Sequence, residues 1–255
     1  MTSRHSSRGW PVLLVAVWVS GCRGFEEGWR RFSDAAVDAA VSPRVWVPAV
    51  GAAALQIDDL DEDLADWATD HGPVFGSEER ATDRSEELAT IAVAAAVLNT
   101  LATPTGPDGR YDYAAKLRDV GGGLAAVFVT NGTTHFLKEG VDRERRSGVT
   151  SGSFPSGHTS MAASTSTLSL RYVDLQPWPD WGKTTLDVTY TALPYAVGWA
   201  RVEAGKHYPT DVLAGVVLGS FFGELSNNLL DSYDNVSFGA TPTEGGVLFA
   251  MTLRF

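Results

Sequence analysis

Apolar residues recur along most of this chain at helical spacing, and proline, glycine and acidic runs cut them into segments. Residues 23–54 mix aromatics with alanine and predict two short helices broken at Ser42-Pro43. In "DDLDEDLADWATDHGPVF" the leucines and Trp67 share a helical stripe, so an amphipathic helix with a solvated acidic face is expected, ending at Gly72-Pro73. Asp59, Asp61 and Asp63 resemble the start of a calcium loop, but Leu64 stands where that loop needs glycine. A helix follows over 83–103, started by Ser85 to Leu88, and "PTGPDG" at 104–109 is a loop by composition. The stretch 111–138 predicts another helix, interrupted at Gly121-Gly122-Gly123. Further helices are expected through about 172, over 184–203 with a kink at Pro194, and over 209–230. The last carries Gly215, Gly219 and Gly223 at four-residue intervals, a smooth groove for a neighbouring helix. Its apolar run Val212–Phe222 is half of what a bilayer needs, and no other run reaches twenty residues, which predicts a soluble body. Val247 to Phe255 alternates after Gly245-Gly246, the pattern of a terminal β-hairpin. The fold class is therefore all-α: a compact helical bundle with a small C-terminal hairpin.

The first segment reads differently. Arg4 and Arg8 precede the short apolar run "PVLLVAVWV", and "SGC" follows, the layout of a secretory signal. The single cysteine, Cys22, sits directly behind Val19-Ser20-Gly21. This resembles the lipobox of bacterial lipoproteins, which implies lipidation at Cys22 and a membrane anchor. Arg23 rather than aspartate follows, which in such lipoproteins favours the outer membrane, so a periplasm-facing protein of a Gram-negative envelope is expected. The segments are then a leader at 1–21, an N-terminal helical extension at 22–82, a helical core at 83–232 and a hairpin or tail at 233–255.

Charge narrows the partners. The formal net charge is −11, and losing Arg4 and Arg8 with no acid takes it to −13. Nucleic acid is excluded as a partner, because a phosphate backbone demands a basic face. An anionic substrate must be caught by a local cationic cluster working against the overall field.

Three short stretches carry candidate chemistry. In "SFPSGHTS" (153–160) a helix start offers free N–H groups to an anion, Gly157 allows close approach, and His158 stands beside it as a proton donor or acceptor. The bland reading is a turn in which Ser156 caps a helix. In "ARVEAGKHYPTDVLAG", Gly205 ends one helix and Pro209 starts the next, which leaves His207 between them. Asp211, one turn into the second helix, can reach a ring nitrogen and fix the tautomer, although such pairs are commonly plain surface contacts. In "KEGVDRERR", Lys138 and Arg145 lie six residues apart and share a side if the helix continues; alone this is an ordinary charged helix end.

Together, Lys-x6-Arg, Pro-Ser-Gly-His and Arg-x5-His-x3-Asp resemble the tripartite signature of the type-2 phosphatidic acid phosphatase superfamily. That family includes acid phosphatases, lipid phosphate phosphatases and vanadium haloperoxidases. The resemblance covers roughly 85–230, making 83–232 a phosphatase helical core. It implies that His207 attacks phosphorus with Asp211 holding its ring, and that His158 protonates the leaving oxygen. It further implies that Lys138, Arg145, Arg201, Ser156 and the Gly157 amide bind the phosphate, with no metal and no cofactor. The implied substrate is a phosphomonoester or pyrophosphate, on a small molecule or a lipid. In that scheme His207 is neutral and His158 charged. Two positions depart from the family: Arg146 replaces a proline, and Ala200 replaces a serine that could contact phosphate. A vanadate-dependent haloperoxidase and a non-catalytic envelope lipoprotein are the competing readings. His135 is expected to be packed or solvated, and Trp178 and Trp181 to cap the bundle.

Overall fold

The structure, a computed structural model, describes residues 15–19, 22–105, 111–146, 151–173, 175–232, 236–243 and 246–253. Strand β1 (Val15–Val19) precedes helices α1 (Cys22–Val41), α2 (Pro43–Ala54), α3 (Leu60–His71) and α4 (Glu78–Ala102). Then come α5 (Tyr113–Val141), α6 (Gly157–Val173), α7 (Asp180–Glu203) and α8 (Pro209–Ser232), followed by β2 (Val236–Thr243) and β3 (Gly246–Leu253). The all-α bundle is as the sequence predicts. The C-terminal hairpin is present too, with β2 antiparallel to β3. The apolar run assigned to a leader forms β1, which pairs in parallel with β3. The rest of that leader, residues 1–14 and 20–21, lies outside the described residues.

Local chemistry explains most boundaries. Ser42 separates α1 from α2 and caps the latter by accepting from the Arg44 amide, with Pro43 in the first turn. Gly72 (φ +50°) ends α3 in the left-handed conformation that glycine adopts without penalty. Ser77 caps α4 five residues before the expected start. Likewise α7 begins at Asp180 rather than 184, behind Pro179. Helix α5 runs unbroken through Gly121–Gly123, against the expected interruption. Packing outweighs propensity there, since a Cβ at Gly122 would stand 3.1 Å from Leu230 of α8.

The bundle is organised around α6 and α8. Almost every residue of α6 is buried, and most of them are serine, threonine or alanine. Helix α8 lays its glycine row against them: a Cβ at Gly219 would fall 2.2 Å from the Ser160 carbonyl oxygen, and one at Gly215 would fall 2.7 Å from that of Ser156. The two backbones thus touch directly, as the glycine spacing predicts. Helices α1, α2, α5 and α7 also pack on α8, while α4 covers α6 and α7. Small alanine-rich clusters fill the gaps, one joining Ala89, Ala92, Ala162, Leu193 and Val197.

Among the described residues α4 and α8 are long and apolar enough to cross a membrane, contrary to the expectation of a body without such helices. Mean hydropathy over a helix tolerates scattered polar residues that interrupt an apolar run. The apolar side chains of α8 serve the core, whereas α4 leaves Ile91, Val97, Leu98 and Leu101 exposed. Trp178 and Trp181 are exposed as well and do not cap the bundle as expected.

Gly219→Ala should destabilise the protein by about 1–3 kcal/mol or more, because the methyl meets backbone that cannot yield. Gly140→Ala, where a Cβ meets nothing within 4 Å, should be neutral or gain up to about 1 kcal/mol. Thermal unfolding of the two variants checks the contrast.

Candidate active site

The three stretches singled out in the sequence meet at one end of the bundle, where α5 and α7 end and α6 and α8 begin. The lateral contact of α6 with α8 sets this up: the Ser156 amide donates to the Asp211 carbonyl at 2.9 Å. Gly205 (φ +62°) ends the α7 turn, Pro209 opens α8, and His207 sits in the connection as predicted.

His207 is 2% exposed, and its Nδ1 lies 2.8 Å from the Ser153 carbonyl oxygen. A carbonyl only accepts, so Nδ1 carries the proton and Nε2 is left with its lone pair. Asp211 Oδ2 is farther from Nδ1, at 3.6 Å. The Ser153 carbonyl is the nearer partner of Nδ1, with the Asp211 carboxylate beside it. Asp211 accepts from the Ser153 hydroxyl, from the Tyr208 amide at 2.9 Å and from Arg143 at 2.9 Å. It fixes Ser153, and Ser153 fixes the imidazole. Burial alone would raise the Asp211 pKa, but contacts with His207, Ser153 and the Tyr208 amide outweigh it and hold the carboxyl below its usual value. Burial drives His207 the other way, down to about 4 against the pull of Asp211, so the ring is neutral at physiological pH.

Lys138 comes from the last turn of α5 and donates to the Gly152 carbonyl at 2.6 Å. Helix α5 then stops at Val141, and Asp142 takes a left-handed conformation (φ +47°). Arg145 therefore lies in coil, so the helix that would have put it on one side with Lys138 does not continue. Arg201, in the last turn of α7, is 6% exposed and donates to Ser85 Oγ at 3.3 Å. The Nε atoms of both Arg145 and Arg201 are buried without a protein acceptor. Burial and the charge of Arg145 bring Arg201 down to about 10, and the same two causes bring Lys138 down to about 8. Lowered cations beside unused guanidinium donors are an environment that suits an anion.

Gly157 is the first residue of α6, and a Cβ there would meet only Thr134 at 3.8 Å and Lys138 at 3.9 Å. Both are ordinary contacts, so Thr134 and Lys138 flank this backbone. Ser156 is fully buried, with its hydroxyl 2.8 Å from Thr159 Oγ1 and its amide used by Asp211. It is committed to holding the turn, not exposed as an anion donor. His158 follows, half-buried. Burial, then the charges of Arg201, Lys138 and Arg145, lower its pKa, with Glu86 of α4 opposing. The cationic surroundings thus disfavour the charged form of His158 that the sequence scheme requires. A phosphate dianion would bring the compensating charge.

Sequence reasoning missed four residues that bind this arrangement together. Arg143 donates to Asp211, to Thr210 Oγ1 at 2.9 Å and to Asp61 at 2.8 Å, and its guanidinium carbon lies 3.9 Å from the Tyr208 ring centroid. Asp61 is 4% exposed, not on a solvated acidic face, and also accepts the Thr210 amide at 2.8 Å. Ser153, fully buried, joins the Arg143 carbonyl, His207 and Asp211. Glu86 contributes the acid charge nearest His158 and Arg201. The departure at Arg146 has a local reason: it donates to Asp66 at 2.5 Å and lies 3.7 Å from Asp70, tying the loop to α3. Ala200 is fully buried. His135 is exposed and 3.6 Å from Glu139, in keeping with a solvated residue.

At this end of the bundle Arg201 and Lys138 bear electrostatically on both His158 and His207. Residues 122–231 match the family model of the PAP2 superfamily. The lipid A 1-phosphatase of Porphyromonas gingivalis is 29% identical over 125 residues, 46% of this chain and 26% of that protein. The chain thus spans about a quarter of the length of the curated relative it matches. The fold is similar to the crystal structure of a transmembrane PAP2-type phosphatidylglycerolphosphate phosphatase from Bacillus subtilis. The TM-score is 0.53 and the identity 22%, over 73% of this chain and 94% of the other.

Asp61→Ala should leave the Thr210 amide unpaired and Arg143 half-paired in buried surroundings, costing about 2–3 kcal/mol. Urea denaturation measures the loss. Asp59→Ala, at a position that makes no side-chain cap hydrogen bond, should cost only the strain of alanine at φ +60°, roughly 1 kcal/mol or less.

Proposed function

We propose that this protein is a phosphoric ester hydrolase acting on a lipid phosphate or lipid pyrophosphate through a phosphohistidine. The observation that carries this reading is the pair of buried, acceptorless guanidinium nitrogens of Arg145 and Arg201, both bearing electrostatically on His158 and Arg201 also on the neutral His207. Cleaving such an ester demands on the order of 20 kcal/mol of differential stabilisation, and phosphoryl transfer takes most of it from positioning and charge neutralisation.

Nε2 of His207 attacks phosphorus as the bond to the leaving oxygen breaks, and protonated His158 gives that oxygen its proton. Neutral His158 then takes a proton from water as the water oxygen attacks the phosphohistidine, releasing His207 and inorganic phosphate. Lys138, Arg145 and Arg201 neutralise the non-bridging oxygens, and the Gly157 amide, at a helix start, adds a donor. Asp211 and Ser153 keep the Nδ1 proton in place throughout. No step of this scheme draws on a metal or an organic cofactor.

A lipid substrate is favoured by the apolar side chains left exposed on α4, α5 and α7, among them Leu98, Leu117 and Trp181. The relatives whose names state a substrate act on lipid A and phosphatidylglycerolphosphate, in the same direction. A lipid anchor at Cys22, the first residue of α1, would keep the site at a membrane surface facing the periplasm, and the outer membrane is the proposed address.

Phosphate release from lipid phosphates presented in mixed micelles tests the reading. His207→Ala should lose at least about a thousandfold in kcat. Equal rates in variant and wild type would sink the proposal.

The pH profile offers a separate test. His207 must be neutral and His158 charged, a combination confined between about 4 and the ordinary histidine value of 6.5 in the free enzyme. The optimum of kcat/KM should therefore be acidic. Above pH 8 Lys138 loses its charge, which adds a second alkaline loss. Lys138→Arg should remove that second loss and leave the first. A profile with its maximum above pH 8 would contradict the assigned protonation states.

A further inference from the structure

A second cavity system opens along the side of the bundle, away from the candidate active site. One part, about 400 Å³, is lined mainly by apolar groups that include Val47 of α2, Tyr190 and Pro194 of α7, and Val216 of α8. The other, about 600 Å³, is polar and is lined by Thr105, Arg171, Glu224, Asn227 and Asp231 among others. The two adjoin across Arg44, Thr167, Leu170 and Asp187, which line both. Thr167 lies nine residues along α6 from His158, roughly 14 Å at 1.5 Å per residue. The volumes fall in the range of small-molecule sites.

The polar part has unmet hydrogen bonds. Asn227 is 8% exposed; its Nδ2 donates to the Thr167 carbonyl at 2.9 Å, and its Oδ1 is buried with no partner. Thr105 Oγ1 and Arg44 Nε, on the same wall, are also buried without partners. Buried polar atoms of this kind are costly unless a ligand or water completes them. The charges, by contrast, are already matched. Arg44 pairs with Asp187 at 3.1 Å and Glu224 at 3.2 Å, and Arg171 pairs with Asp231 at 2.9 Å and Asp119 at 3.2 Å. The acids outnumber the arginines along this wall, so a phosphate head would be repelled. A hydroxylated, uncharged head both donates to Asn227 Oδ1 and accepts from Arg44 Nε.

We propose that this groove binds an amphiphile with an uncharged polyol head and one acyl chain. The head lies in the polar part, and the chain lies against Val47, Tyr190, Pro194 and Val216. The site differs from the phosphate site in position and in charge preference, so it stands whether or not the chain hydrolyses phosphate esters.

Photolabelling of the full-length protein in lipid nanodiscs tests it, with a monoacylglycerol carrying a diazirine in its acyl chain. Label should concentrate on peptides containing residues 190–195 and 216–220. Thr191→Trp, an exposed position on the apolar wall, should lower that labelling at least fivefold while circular dichroism stays unchanged. Asn227→Leu should weaken it similarly through the head. A lysophosphatidate bearing the same diazirine should label these peptides far less. Label of equal strength in Thr191→Trp, or spread over the exposed faces of α4 and α5, would overturn the site. Equal labelling by the phosphorylated probe would overturn the head-group assignment.

Discussion

The direct contact between the backbones of α6 and α8 is the constraint from which the site follows. Gly215, Gly219 and Gly223 remove the side chains that would hold the helices apart, and α6 answers with serine, threonine and alanine. At their common end, this spacing lets the Ser156 amide reach the Asp211 carbonyl. The turn that offers Gly157 and His158 is thereby locked to the loop that carries His207. Wider packing through leucine or phenylalanine would part the two histidines and leave the cations without a shared target.

Within that frame a single carboxylate organises the proton positions. Asp211 takes hydrogen bonds from Ser153, Tyr208 and Arg143, and the Ser153 carbonyl takes the proton of His207. The imidazole is oriented one step removed from the acid, so its tautomer depends on the backbone of residue 153. Arg143 extends the support outward to Asp61 of α3. The N-terminal helices therefore serve the site as well as the surface, since α3 holds both Arg143 and, through Asp66, Arg146. Against this acidic scaffold the cations are concentrated. A chain of net charge −11 keeps Arg145 close enough to lower both Lys138 and Arg201, with Glu86 opposing at Arg201. That concentration suits a dianion arriving from solvent and disfavours the cations alone.

Several elements were legible from local signals. Ser42-Pro43, Gly72 and Gly205-x3-Pro209 mark boundaries because capping and turn chemistry act within a few residues. The glycine row of α8 showed its contact because its period matches the helix. Other features ran against local signals. Three consecutive glycines did not break α5, because tertiary packing against Leu230 outweighs their propensity cost. Helix α4 starts at Glu78 rather than at 83, and much of its apolar surface is exposed.

The sequence by itself determined the helical class and most element limits, because each rests on interactions between near neighbours. Only the tertiary structure decided that Ser153, not Asp211, accepts the His207 proton, that Ser156 is spent on the turn, and that Asp61 is buried beneath Arg143. Asp61 meets Thr210 across 149 residues and Ser153 meets Asp211 across 58. Contacts at such separations leave no period or spacing in the chain, since they arise only when packed helices bring distant turns together.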